Sequence, residues 1–141
     1  MNFEESVGFL LAKIATAHKN LLERTMAEAG VHGGQVFVLL ALWEQDGLRQ
    51  IDLAEALNLA PPTVNKTLAG MVERGLVTRA RYEDDARSTR IFLTETGRSV
   101  KRNIEERWME IENRITTGLT ETERLILPQL LVKLLGNYLN K

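Results

Sequence analysis

Between residues 50 and 93 the chain switches from the hydrophobic period of a helix to that of a strand, and a few residues mark each switch. Residues 50–57 place Ile51, Leu53, Ala54 and Leu57 at helical spacing. Asn58, Leu59 and Ala60 make a turn, and a second helix opens at Pro61, which fits a first turn because its missing N–H has no partner there. That helix runs to about Arg74 with Val64, Leu68, Met71 and Val72 on its apolar face, and Gly75 follows as its stop. Residues 76–82 then alternate, with Leu76, Thr78, Ala80 and Tyr82 against Val77, Arg79 and Arg81. Residues 83–88 are a polar turn and 90–93 a second short strand. Two short helices across a tight turn, followed at once by a β-hairpin, describe a helix-turn-helix with a wing. The predicted fold is therefore mainly α with a small β-hairpin wing.

The flanks are read as helices. Asn2 with Glu5 predicts a capping box, and an apolar stripe runs through Phe3, Val7, Leu10, Leu11, Ile14, His18, Leu21, Leu22 and Met26 to a stop near Gly30. Residues 35–44 make a second helix packed by Val36, Phe37, Leu39, Leu40 and Trp43, and Asp46-Gly47 is a turn. From Thr94 a long helix carries Val100, Ile104, Trp108, Ile111 and Ile115. Thr120 and Glu123 form a second capping box before a leucine-dense helix in which Pro128 predicts a bend near Leu127. The apolar coverage of this last helix exceeds one face, so it is expected to pack against a second subunit.

Composition removes several functions. The chain has no cysteine, so disulfides, thiolate metal sites and thiol redox sensing are closed to it, and two histidines make a zinc site implausible. The longest apolar run, 36–43, is far short of the roughly 20 residues of a membrane helix, and the N-terminus lacks a secretory pattern, which points to the cytoplasm. No phosphate-cradling loop, metal spacing or nucleophile–base frame is present, so neither catalysis nor a cofactor is expected. The glycine-rich 30–34 stretch follows no strand and is read as a helix boundary. The net charge of −1 hides an uneven distribution: ten basic and seven acidic groups lie in residues 49–102, against three and six before them. Phosphates respond to that local surplus.

These residues resemble the MarR family of winged helix-turn-helix regulators over nearly the whole chain. The resemblance is carried by Leu53-Ala54 with Leu57, Pro62-Thr63-Val64, Gly75-Leu76-Val77 with Arg79, Asp85-Ala86-Arg87, and Leu93-Thr94 with Gly97. It implies a single domain over residues 1–141. Within it, 31–97 would be the winged helix-turn-helix, 95–116 a connecting long helix, and 1–30 and 115–141 a dimerisation region. Three residues depart from the family pattern: Ala60 where a capping side chain is common, Asp84 at the wing tip, and Pro128.

The expected function is a homodimeric regulator, most simply a repressor, on a pseudo-palindromic double-stranded operator. An α-helix fits the major groove with its N-terminal residues on base edges. The candidates there are Pro62, Thr63, Asn65 and Lys66, with Asn65 able to pair an adenine through its amide, and Ala69 and Gly70 letting the helix lie close. In the wing, Arg87 is the candidate for the minor groove and Asp85 for orienting an arginine, while Arg79, Arg81 and Arg90 are candidate phosphate contacts. The resemblance also implies a small aromatic or anionic effector, with His18, Leu22, Trp43 and Trp108 as its candidate lining. The alternative is a winged-helix module that binds protein and not DNA, whose mark would be loss of these exposed polar residues.

Overall fold

The computed structural model describes residues 1–81 and 89–140. A 3-10 turn at Phe3–Glu5 precedes α1 (Val7–Ala27) and α2 (Gln35–Glu44). A two-residue strand β1 (Leu48–Arg49) leads into α3 (Gln50–Ala56), α4 (Pro61–Glu73), β2 (Val77–Arg81) and β3 (Thr89–Leu93). Helices α5 (Glu95–Ser99), α6 (Lys101–Ile115) and α7 (Glu121–Leu139) follow. The mainly α class with a β wing is observed, and the wing gains a strand: the sheet is antiparallel in the order β1-β3-β2. Leu48 pairs Ile91, and Val77, Arg79 and Arg81 pair Leu93, Ile91 and Thr89.

The chain divides into two compact units, Met1–Arg107 and Trp108–Lys141. The first holds a core of Leu22, Met26, Val36, Leu39, Leu42, Leu53, Val64, Leu68, Met71, Val77, Ile91 and Ile104. In the second, Ile111 is the one buried side chain among the described residues, and no side chain of α7 is buried.

Three local expectations are corrected. Asn2 caps the 3-10 turn and not α1, whose N-cap is Ser6, with its hydroxyl accepting from the Phe9 amide at 3.3 Å. The helix after Thr94 is divided at Val100, although Val100 keeps helical angles and both its amide and carbonyl remain bonded along the chain. Val72 is exposed, because the buried face of α4 follows Val64, Leu68 and Met71. Helix α7 continues past Pro128, which lies inside it as the sequence places it, behind the Thr120–Glu123 capping box.

Candidate nucleic-acid interface

The first helix of the motif ends at Leu57, whose amide bonds the Leu53 carbonyl, and Asn58 turns the chain with a positive φ of 52°. Asparagine tolerates that conformation better than most side chains do. The Leu59 amide returns to the Ala54 carbonyl, and α4 starts without a side-chain cap at Ala60. Its start rests on Pro61 and Pro62 in the first turn and on Val64 and Leu68, which have no exposed surface. The backbone stop at Gly75, φ 73°, then delivers the chain into β2.

This anchoring fixes what α4 presents. Pro62, Thr63, Asn65, Lys66 and Ala69 are exposed, as a helix meeting a groove requires. Gly70 lies elsewhere: a Cβ there would come 3.1 Å from Nε2 of Gln35, so it faces α2. Gln35 is itself buried, and its Oε1 accepts from the His32 amide at 3.0 Å.

The arginines of the wing strands have separate roles. Arg79 shares its face of β2 with buried Val77 and stands opposite buried Ile91, so its guanidinium crosses toward α4. There Nη2 donates to the Asn65 carbonyl at 2.8 Å and Nη1 to Asn65 Oδ1 at 3.2 Å. Gln50, at the start of α3, donates to the same Oδ1 at 3.3 Å. Arg90 lies on the opposite face and donates to the Gly47 carbonyl at 2.9 Å, which holds the Asp46-Gly47 turn against β3. Asp46 Oδ1 secures the same turn, accepting from the Gly47 and Leu93 amides at 3.0 and 2.8 Å. Arg81 is exposed. Asp85 and Arg87 fall outside the described residues.

One ion pair borders the surface. Arg49 meets Asp52 at 2.9 Å, with two hydrogen bonds between them. That hydrogen bonding holds the Asp52 carboxyl below the usual carboxylate range and raises Arg49. The long-range bonds of Gln50 to Asn65 and of Asp46 to Leu93 are not marked by the sequence pattern. Gln50 carries no signal beyond its place at a helix start, whereas Asp46-Gly47 is legible as a turn without its long-range partner.

The candidate effector residues of the first unit fall at different places. Leu22 lines a recess of about 770 Å³ with Lys19 and Glu23 of α1, Phe37 of α2, Leu57 and Leu59 of the turn, and Thr63 and Thr67 of α4. Trp43 lies at another, smaller recess with Asp46, Leu93 and Arg98, and its indole N–H donates to the Gly97 carbonyl at 3.0 Å. His18 is half-buried on α1 and lines neither, and Trp108 belongs to the second unit. Among the described residues, the cation lining the larger recess is Lys19, which lies outside the apolar stripe that drew attention to His18 and Leu22. Among the described residues, no helix is long and apolar enough to cross a membrane.

Comparison with known proteins gives one consistent family. The model described as MarR family matches residues 33–89. The chain is 33% identical over 101 residues to the organic hydroperoxide resistance transcriptional regulator of Bacillus subtilis, covering 72% of this chain and 69% of that protein. The fold superposes on the MepR–DNA complex of S. aureus with a TM-score of 0.79 and 26% identity, covering 97% of this chain and 99% of that one. It also superposes on Bordetella bronchiseptica BpsR, in a structure concerning regulation of DNA binding by 6-hydroxynicotinic acid. There the TM-score is 0.82 at 25% identity, with 95% and 96% of the two chains covered.

Proposed function

The chain belongs to the MarR family of transcriptional regulators, and from that membership we propose that it binds a pseudo-palindromic operator in double-stranded DNA as a homodimer, most simply as a repressor. The observation that carries this reading is the exposed first turns of α4, whose Thr63, Asn65 and Lys66 stand out beside the wing strands while Val64, Leu68 and Met71 hold the helix from behind. The likeness to a regulator solved on DNA supports it. In this reading Thr63 and Asn65 meet base edges with Pro62 packed beside them, and Lys66 and Arg81 meet phosphates. Arg87, positioned by Asp85, enters the minor groove. Arg90 serves the wing's own fold through Gly47.

The domain roles proposed are those of the family resemblance: 31–97 reads DNA, and 1–30 with 115–141 pairs two copies. Apolar side chains left exposed on α1 and α7 support that division. The recess shared by Lys19, Leu22, Phe37, Thr63 and Thr67 is the proposed effector site, for a small aromatic or anionic molecule with Lys19 as its counter-ion. A ligand there touches α1 and the recognition helix together, so it favours one disposition of the two over another and shifts operator affinity by that difference. The BpsR structure supports an effector of this size. Thiol oxidation is closed to a chain without cysteine.

The test is selection from random double-stranded DNA at two salt concentrations. A pseudo-palindrome with half-sites about 34–36 Å apart is the expected product. Weak, salt-sensitive binding with no enriched sequence would overturn the reading.

A further inference from the structure

The reach of Arg79 across to α4 leaves Asn65 with a lopsided hydrogen-bonding capacity. A carboxamide carries one oxygen with two acceptor positions and one nitrogen with two donor hydrogens. Asn65 Oδ1 accepts from Gln50 Nε2 at 3.3 Å and from Arg79 Nη1 at 3.2 Å, so both acceptor positions are filled. A guanidinium can only donate, so oxygen and not nitrogen must face Arg79, and chemistry fixes which way the amide points. The second bond from Arg79, to the Asn65 carbonyl at 2.8 Å, ties the clamp to the backbone of α4. Nδ2 is what the amide has left to offer a base.

We propose that Asn65 reads the operator as a donor alone, taking guanine or thymine, and that Gln50 and Arg79 are positioning residues that set this preference. Adenine presents an acceptor beside a donor in the major groove, and an asparagine matches both only with its oxygen and nitrogen free together. Guanine presents two acceptors, N7 and O6, and thymine presents O4, all of which suit a lone NH2 group. The clamp thus turns an ordinary adenine reader into a reader of acceptor edges. The sequence pattern alone, asparagine in the second turn of a recognition helix, points the other way. The inference rests on the DNA-binding reading above.

The experiment repeats the random-DNA selection with four variants of the full chain. Asn65→Ala locates the contact as the half-site position whose preference disappears. Wild-type protein should show guanine or thymine at that position. Arg79→Ala and Gln50→Ala each free an acceptor position on Oδ1, and should raise adenine there about fivefold or more, the low end of the worth of a two-point amide–adenine pair. Arg81→Ala, which removes a charge from the same strand but leaves the clamp, should lower affinity and salt slope without changing the base. Adenine in wild type, or an unchanged base in both clamp variants, overturns the inference and leaves the regulator intact. So does an Asn65→Ala profile that loses no position. A wild-type chain that enriches nothing overturns the regulator reading, and the inference with it.

Discussion

At the scale of single residues, the side chains that matter most are those whose partners are distant in sequence. Gly97 lies so close to the chain entering β2 that a Cβ there would collide with the Leu76 carbonyl oxygen, a backbone atom with nowhere to retreat. Gly97→Ala is expected to destabilise the fold by at least about 1–3 kcal/mol, the usual range for overpacking, measured by urea denaturation. An unchanged midpoint would show that α5 can lift off β2 without loss. Gly97 is legible as part of a family pattern, but its reason lies in a contact with Leu76 that no local spacing encodes. The same holds for the wing arginines. Residue parity correctly puts Arg79 and Arg81 on one face of β2, yet Val77 shares that parity and is buried, so the face leads inward at Arg79. Arg90→Ala should cost about 1 kcal/mol of stability through its lost bond to Gly47, with the salt slope of DNA binding unaltered. Lys66→Ala should instead lower that slope by about one and leave stability alone. Asp52 adds a pH dependence of defined sign. Its folded carboxyl titrates below the ordinary aspartate range, so the stabilisation by Arg49 is complete above that range and drains away as the pH falls through it. The gap in denaturation midpoint between wild type and Asp52→Asn should therefore hold from neutral pH down to the ordinary aspartate range and close below it. The pair is exposed, so the gap is small.

At the scale of elements, legibility depends on how local the signal is. Helix α2 begins and ends at the residues its periodicity predicts, and the capping box of α7 is where Thr120 and Glu123 place it. Both signals are complete within a few residues. Strand β1 is invisible in the sequence because two residues carry no period; it exists by pairing with Ile91 and Arg90 across the sheet. The start of α1 is ambiguous in the sequence because Asn2 and Ser6 are both competent caps, and the 3-10 turn uses the first while the helix uses the second. The expected long helix after Thr94 is nearly present, since Val100 at φ −74° and ψ −11° is a loosened turn whose hydrogen bonds continue into α6. Pro128 supplies a cleaner test. Inside α7 it removes one backbone donor, while the helix continues around it. Pro128→Ala should stabilise the protein by up to about 3 kcal/mol, the difference in interior helix propensity, seen as a raised denaturation midpoint at fixed protein concentration. A lowered midpoint would mean that the proline shapes the helix for its packing partner and that straightening it costs more than propensity returns.

At the scale of the whole molecule, the distribution of apolar surface argues for assembly. Phe3, Val7 and Ile14 on the first turns of the chain, and Leu125, Val132, Leu135 and Leu139 on α7, are all more than half exposed in the single chain. Each unit presents such a face by itself, and contiguous apolar surface of this kind is rare on a lone soluble domain. The excess of leucine in 125–139 makes this legible in the sequence itself, because no single helical stripe accommodates so many. A second copy of the chain is the occupant proposed, since a two-fold operator requires two recognition helices held at a fixed separation. Deleting the residues after Leu119 should therefore abolish the dimer in sedimentation, but aggregation of a damaged fold would give a similar loss. The paired substitution Leu125→Glu and Val132→Glu separates the two. Both side chains are already exposed in the single chain, at 67% and 69%, and glutamate is a good helix former, so the chain's own fold should survive with its helical content unchanged. Two added charges at each copy's contact face should convert the dimer to monomer at micromolar concentration. Operator affinity should fall with it, because a monomer engages one half-site and loses the gain from linked binding. A variant that stays dimeric at full helicity would place the pairing surface away from α7, and the apolar face of that helix would then need another partner.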